Sequence, residues 1–247
     1  MVTTAVIMAA GLGTRFGEMT TEIPKGFIKA GEKPMIVRSI ETLLASGIGR
    51  IIIGTGFKNE LYEALANEFP QVECVYSPVY ATTNSMYTLW NCRQAIGLDD
   101  FLVLESDLVF EKRAITDLLL NPHENVMLCA DVTKFQDSYF LEYNKNLELV
   151  NCSVNESDLK VCGEMVGIHR LSNSYYRELC FYYSTIVKEK PKMGYEFAML
   201  HLAQTFEPIH VHKIPGLVWY EIDDYEDLVF TEKNIIGKLN SGNAKVL

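Results

Sequence analysis

A short segment near the N-terminus carries residue types that bind phosphate groups. It runs from Ala9 to Lys25, reads AAGLGTRFGEMTTEIPK, and directly follows the apolar residues 5–8. Glycines at positions 11, 13 and 17 let backbone N–H groups close around phosphate oxygens, because no Cβ stands in the way. Arg15 and Lys25 supply positive charge for the same oxygens. The segment therefore predicts a loop that cradles the polyphosphate of a nucleoside triphosphate.

Two common phosphate-binding motifs do not fit this loop. The P-loop requires G-x-x-x-x-G-K-[ST], which the chain lacks. The dinucleotide-binding motif requires a helix that starts at the third glycine and an acidic residue at the end of the second strand. Here the loop continues to Pro24, and the second predicted strand ends in GTG at 54–56. A glycine turn without a ligand would need neither Arg15 nor Lys25.

Acidic residues at two distant places are candidates for metal binding. Asp107 follows the apolar run FLVLE at 101–105, and open α/β sheets bind ligands at the carboxyl ends of their strands. WYEIDD at 219–224 places Glu221 and Asp223 on one face of a strand, because strand side chains alternate. Asp224 is expected to cap the final helix instead. Mg²⁺ is usually held by one or two carboxylates beside substrate phosphates.

The segments between these residues alternate between strand and helix patterns. RIIIGT at 50–55 and the run at 72–76 read as strands, whereas 36–44 and 61–69 have apolar residues at helical spacing. This β-α-β-α-β order predicts a parallel sheet covered by helices.

Beyond Asp107 the rhythm changes. A hairpin is predicted over 139–152 and a further strand over 161–169, which together give the sheet a mixed portion that covers one edge of the ligand cleft. A terminal helix is predicted over 224–239. The chain thus predicts an α/β fold with a mixed, mostly parallel central sheet. We expect a single domain over 1–247, with nucleotide binding by about 1–110 and acceptor binding by about 111–230.

Composition excludes several classes of protein. The formal charge of −10 argues against a general nucleic-acid binder. No apolar run reaches the roughly 18–20 residues that a membrane span needs. The N-terminus has no basic region ahead of its short apolar piece, so a cytoplasmic protein is expected. The 6 cysteines show no C-x-x-C spacing, which predicts reduced thiols rather than a zinc site or a disulfide framework.

Several motifs resemble those of one enzyme family. AAGLGTRF followed by T-x-x-x-P-K resembles the signature of nucleotidyltransferases with a glycosyltransferase-A-like fold, which join a nucleoside triphosphate to a phosphorylated small molecule and release pyrophosphate. ATTNSMYTL at 81–89, VLESD at 103–107, GEMVGIHRLS at 163–172 and WYEIDDYEDL at 219–228 follow in the order found in the choline-phosphate and 2-aminoethylphosphonate cytidylyltransferase branch. The resemblance implies a three-layer Rossmann-like fold.

The resemblance also implies roles for individual residues. Arg15 and Lys25 would hold the triphosphate and stabilise the charge that develops during transfer, and Asp107 and Asp223 would bind Mg²⁺. No general base is needed, because the acceptor's phosphate or phosphonate oxygen is largely ionised already. The implied nucleotide-binding residues are Ala10, Gly11, Gly13, Thr14, Tyr80, Thr82, Asn84, Ser85 and Ser106.

The acceptor is the least determined part of the reaction. A primary ammonium favours carboxylates, whereas a quaternary ammonium favours an aromatic cage. The resemblance implies that a choline-phosphate enzyme would carry tryptophan-containing cage residues in the segment 130–146, and this segment contains no tryptophan. This favours 2-aminoethylphosphonate, and hence phosphonate biosynthesis, over choline phosphate. The predicted acceptor-binding residues are Lys134, Tyr139, Glu164, Tyr195 and Glu196.

Other interpretations stay open at this point. They are a sugar-1-phosphate nucleotidyltransferase and a non-catalytic nucleotide-sensing module. The sequence also leaves open whether the chain forms a homodimer or is fused to another enzyme domain.

Overall fold

Residues 2–243 are described by a computed structural model in which a β-sheet carries helices on both faces. The strands are β1 Thr4–Ala9, β2 Lys29–Ala30, β3 Lys33–Pro34, β4 Arg50–Thr55, β5 Val72–Tyr76, β6 Phe101–Glu105, β7 Leu108–Phe110, β8 Val126–Ala130, β9 Phe140–Tyr143, β10 Leu149–Ser153, β11 Gly163–Leu171, β12 His210–Lys213 and β13 Trp219–Glu221. The helices are α1 Met35–Ala45, α2 Asn59–Glu68, α3 Ser85–Asn91, α4 Arg93–Ile96, α5 Arg113–Leu120, α6 Asn173–Ile186, α7 Tyr195–Thr205, α8 Tyr225–Asn234 and α9 Ile236–Asn243.

The N-terminal half of the sheet is parallel. β1 pairs with β4 on one side and β6 on the other, and β5 continues the sheet beyond β4. Successive residues of β4 enter different cores: Ile51 and Ile53 pack with α1 and α2, whereas Ile52 packs with α3 and α6. A strand buried on both faces needs an almost wholly apolar sequence, which explains the run RIIIGT. The expected parallel, helix-covered sheet is confirmed.

The second half of the sheet is mixed. β11 runs antiparallel to β6, β8 and β9, and β12 lies parallel to β8. β9 and β10 form the expected hairpin around the turn at 144–146. The architecture is therefore the three-layer α/β fold with a mixed central sheet that the sequence predicts.

A small two-stranded sheet stands apart from the main one. β7 pairs with β13 in antiparallel register, so that Leu108 faces Glu221. A third apolar cluster supports this pair, and it includes Phe16 from the glycine-rich loop together with Val109 and Tyr220. The cluster thus ties the loop to both short strands.

The C-terminal segment differs from the prediction of one continuous helix over 224–239. The chain bends at Ile235 between α8 and α9. The bend allows Ile235, Ile236 and Leu239 all to reach the third apolar cluster. Among residues 2–243, no helix is both long and apolar enough to cross a bilayer. The six cysteines are unpaired.

Candidate active site

A cleft opens where β1, β4 and β6 end at the same edge of the sheet. Parallel strands present their carboxyl ends together, so the turns that follow them meet there. Most of the predicted nucleotide-binding residues line this cleft, namely Ala10, Gly11, Gly13, Tyr80, Asn84, Ser85 and Ser106. Thr14 and Thr82 are not among the lining residues: Thr14 is exposed, and the Thr82 hydroxyl donates to the carbonyl of Val79.

The backbone angle of Gly13, its close packing and one side-chain hydrogen bond fix the turn of the glycine-rich loop. Gly13 has a φ of +63°, and a Cβ at this position would lie 3.1 Å from the Cβ of Lys25 and 3.2 Å from Cγ2 of Thr20. The Thr20 hydroxyl donates to the carbonyl of Gly13 at 2.8 Å. Phe16 is buried below the loop. Only glycine satisfies both the backbone angle and the space at position 13.

Three cations surround Asp223, whose side chain is only 2% exposed. Arg15 Nη2 lies 2.6 Å and Lys25 Nζ 2.8 Å from its Oδ1, and Lys134 Nζ lies 3.1 Å from its Oδ2. Lys25 Nζ also lies 2.5 Å from Asp107 Oδ2. Burial alone would raise the pKa of Asp223, but Lys25, Lys134 and Arg15 together hold it below its ordinary value.

The pairing of β7 with β13 explains why Asp107 and Asp223 meet. Asp107 immediately precedes β7, and its carbonyl accepts a hydrogen bond from the backbone N–H of Ile222 at 3.0 Å. Asp224 follows as the N-cap of α8 and accepts from the backbone N–H of Asp227, as the sequence predicts. The strand register, rather than proximity along the chain, therefore assembles the carboxylates.

Two further carboxylates face the cleft, and neither takes part in the ion pairs formed among residues 2–243. Glu105 and Glu221 both line the cleft. Burial, and after it the charge of Asp107, raises the pKa of Glu105 to about 8. The pKa of Glu221 is raised by burial and then by the neighbouring charges of Glu105 and Asp107. Both shifts favour the protonated carboxyl, and an incoming cation would favour the ionised carboxylate instead.

The carboxylates have the donor chemistry for magnesium. One oxygen each from Glu105, Asp107 and Glu221 lie within 4.8 Å of one another. Asp107 Oδ1 is buried and has no hydrogen-bond partner among the residues that the structure describes, so its lone pairs are available to a metal ion. All the donors are oxygens, the type that Mg²⁺ prefers. These residues fit a divalent ion. Of the two predicted metal ligands, Asp107 belongs to this group, whereas Asp223 is paired with three cations. Glu105 and Glu221 are the additional carboxylates.

The predicted acceptor residues separate into those inside and those outside the cleft. Tyr139 and Glu196 line it, and the charge of Glu196 is close enough to raise the pKa of Tyr139, after burial as the largest cause. Lys134 lies at the edge of the site, with Nζ 2.9 Å from Asp227 Oδ2. Tyr195 is fully buried behind the wall, where its hydroxyl donates to Glu105.

Glu164 is not among the cleft residues. Its carboxylate accepts hydrogen bonds from the N–H and hydroxyl of Thr133 and from the hydroxyl of Ser138, at 2.5, 2.9 and 2.8 Å. It is 1% exposed. Glu164 therefore anchors the segment 133–138 beside the cleft, and its oxygens are already satisfied by the protein.

Glu105 is the residue that the sequence reasoning missed. It stands two positions before Asp107, so strand alternation already placed both side chains on the same face. The motif VLESD therefore carried a signal for two carboxylates rather than one. Tyr62 and Thr88 also line the cleft, although they belong to helices whose sequence pattern indicated only packing.

Comparisons with known proteins identify the family to which this chain is similar. A family model described as the MobA-like NTP transferase domain matches residues 5–153. A choline-phosphate cytidylyltransferase of Streptococcus pneumoniae is 31% identical over 122 residues, which are 49% of this chain and 52% of that protein. A 2-aminoethylphosphonate cytidylyltransferase of Lancefieldella rimae is 32% identical over 113 residues, 46% of each chain. The chain thus matches only about half the length of these curated relatives.

One solved structure extends the likeness across nearly the whole fold. The CTP:phosphocholine cytidylyltransferase of Streptococcus pneumoniae superposes with a TM-score of 0.81, covering 94% of this chain and 99% of that one at 22% identity. At this identity the likeness concerns the fold. It extends beyond residue 153, where the match to the family model ends.

Proposed function

The chain belongs to the MobA-like NTP transferase domain family, and on that premise we propose that it transfers CMP from CTP to 2-aminoethylphosphonate. The products are CMP-2-aminoethylphosphonate and pyrophosphate. Within one domain, we infer that about residues 1–110 bind the nucleotide and about residues 111–230 bind the acceptor.

The observation that carries the proposal is the convergence of Arg15 and Lys25 with Asp107 and Asp223 at one end of the cleft. Both cations come from the glycine-rich loop, and both lie within 3 Å of a carboxylate oxygen. A phosphate chain lying in this loop offers oxygens that can take over from those carboxylates. A module that only bound nucleotide would have no need for the facing acidic group.

In the proposed reaction, the loop N–H groups and the two cations hold the triphosphate. An ionised phosphonate oxygen attacks the α-phosphorus, and the bond from this phosphorus to the bridging oxygen of the β-phosphate breaks. The electron pair leaves with pyrophosphate, beside Arg15 and Lys25. Because the nucleophile arrives ionised, the residues move no proton; they position the reactants and balance charge.

Magnesium is the proposed cofactor. Asp107 would hold the ion together with a second carboxylate. This would be Glu221, or it would be Asp223 once the triphosphate has replaced Asp223 as a partner of Lys25. When bound, the ion would neutralise the charge that accumulates on the phosphates.

The base is expected to bind near Tyr80 and Asn84, beside the start of α3. The Asn84 side chain accepts from the backbone N–H of Ser85, and the Ser85 hydroxyl accepts from the N–H of Tyr195. These bonds fix the helix start against α7. The amide nitrogen of Asn84, whose contact with the carbonyl of Lys192 is long at 3.4 Å, remains for the acceptor atoms of cytosine.

The carboxylates Glu105 and Glu196 support an acceptor with a primary ammonium. Choline phosphate is the second candidate, because the relative from Streptococcus pneumoniae carries that name. Its trimethylated nitrogen would need aromatic faces on several sides. Close to Glu196, the ring that lines the cleft is that of Tyr139.

A substrate panel tests the proposal. Pyrophosphate release is measured with each of CTP, UTP, ATP and GTP against 2-aminoethylphosphonate, choline phosphate and glucose 1-phosphate, with and without Mg²⁺. We expect release only with CTP, metal and acceptor together, and fastest with 2-aminoethylphosphonate. Faster turnover of choline phosphate would transfer the assignment to that acceptor, and nucleotide binding without any release would contradict the proposed activity.

A further inference from the structure

A buried chain of hydrogen bonds ends on Glu105. The hydroxyl of Tyr195 donates to Glu105 Oε1 at 2.9 Å, and Nε2 of His169 lies 3.0 Å from the same hydroxyl oxygen. Tyr195 and His169 are both 0% exposed. The one hydroxyl hydrogen of Tyr195 is donated to Glu105, so His169 donates from Nε2. Its Nδ1 is then unprotonated, and it has no hydrogen-bond partner in the described part of the chain. The hydrogen bonds therefore run from His169 to Tyr195 and from Tyr195 to Glu105.

The other side of the same carboxylate is held by β11. Gly167 has a φ of +74°, and a Cβ at this position would lie 3.0 Å from Oε2 of Glu105. The Glu105 carboxylate therefore packs between the Tyr195 hydroxyl and the bare Cα of Gly167. This arrangement fixes its position in the cleft wall, on the side where Tyr139 and Glu196 also lie.

The cations of the site are engaged by other carboxylates. Lys25, Lys134 and Arg15 pair with Asp107, Asp223, Asp227 and Asp137. The ion pairs formed among residues 2–243 leave Glu105 with no cationic partner. A cationic ligand can therefore pair with Glu105 and favour its ionised form.

Resting on the proposed function, we propose that Glu105 is a specificity-determining residue that accepts the acceptor's primary ammonium, and that Tyr195 and His169 position it. A primary ammonium offers three N–H donors, and the wall presents Glu105 beside Glu196 and Tyr139. Tyr195 thus acts on the acceptor through Glu105. A quaternary ammonium has no N–H and could not use this carboxylate in the same way.

The test compares two acceptors that differ only in the head group, 2-aminoethylphosphonate and 2-hydroxyethylphosphonate. The ratio of their kcat/KM values is measured with CTP for the wild-type chain, Glu105→Gln and Tyr195→Phe. Tyr175→Phe is the matched control, because it removes another buried tyrosine hydroxyl, one that donates to the carbonyl of Met199 at 3.0 Å. A charge-assisted hydrogen bond contributes about 1.5–3 kcal/mol.

We expect Glu105→Gln to lower the preference for the amine at least about tenfold. Tyr195→Phe should lower it in the same direction with little change in the KM for CTP, and the control should leave it as in the wild type. Equal losses on both acceptors would overturn the inference, and an accompanying rise in the Mg²⁺ requirement would assign Glu105 to the metal instead. A wild-type chain that turns over neither acceptor would contradict the proposed function itself, which separates the two failures.

Discussion

Lys25 Nζ and Asp107 Oδ2 form an ion pair of 2.5 Å although 82 positions separate the two residues in the chain. The last residue of the glycine-rich loop is thereby held against the carboxylate in the turn that follows β6. Burial would lower the pKa of Lys25, but Asp107 and Asp223 outweigh it and raise that pKa, so the side chain stays charged. In the proposed reaction the triphosphate must replace Asp107 as the partner of Lys25.

Replacing Lys25 by methionine tests this exchange. The variant keeps most of the length of the side chain and removes its charge, so kcat/KM for CTP should fall about 10²–10³-fold. Lys33→Met is the control, because Lys33 is an exposed lysine that pairs with Glu41 at 2.7 Å. Activity of the Lys25 variant within a few-fold of the control would mean that this lysine does not hold the nucleotide.

Asp107→Asn should change the response to magnesium. The substitution removes a negative charge and a ligand oxygen, so the Mg²⁺ concentration for half-maximal pyrophosphate release should rise at least about tenfold. Asp158→Asn provides the control from an exposed turn. An unchanged magnesium curve would remove Asp107 from the metal site.

Asp223→Asn should destabilise the fold and inactivate the enzyme. The change leaves Arg15, Lys25 and Lys134 facing a neutral amide in a mostly buried site, which should reduce the free energy of unfolding by about 3 kcal/mol. Glu73→Gln is the contrast, because it breaks an exposed ion pair with Arg50 and should cost less than about 1 kcal/mol. Urea unfolding measures both; equal values would show that the cluster around Asp223 is not electrostatically coupled.

His169 should make stability depend on pH. Burial lowers its pKa to about 3, against about 6.5 in an unfolded chain. Below pH 6.5 the unfolded state binds a proton that the folded state does not, so stability falls as the pH falls toward 3, by up to about 1.4 kcal/mol per pH unit. Urea unfolding between pH 4 and 7 should show a steeper decline for the wild type than for His169→Gln, and parallel curves would contradict this.

Local sequence patterns were enough to predict a glycine-rich loop after the first strand and the order of strands and helices. The glycines at 11 and 13, the apolar runs of β4 and β6, and the strand-end position of Asp107 each depend on neighbours in the chain. The family resemblance predicted that Asp107 and Asp223 act as a pair. They lie together because β7 pairs with β13, and no local sequence pattern predicts that register.

The acceptor end was harder to predict for the same reason. Glu164 and Glu196 are both buried carboxylates in the second half of the chain, and only tertiary contacts distinguish them. Thr133 and Ser138 satisfy Glu164, whereas Glu196 faces the cleft. Likewise, the sequence alone predicts that Tyr195 belongs to an aromatic ligand cage, whereas in the structure its hydroxyl donates a hydrogen bond to Glu105.

The most direct test of the proposed activity is to identify the product by phosphorus NMR. The wild-type chain is incubated with CTP, Mg²⁺ and 2-aminoethylphosphonate, and in parallel with UTP in place of CTP. We expect pyrophosphate together with a coupled pair of new resonances, one from a phosphonate and one from a phosphate, as an anhydride between CMP and the acceptor requires. No coupled pair with CTP, or an equal yield with UTP, would contradict the proposal that this chain is a cytidylyltransferase for 2-aminoethylphosphonate.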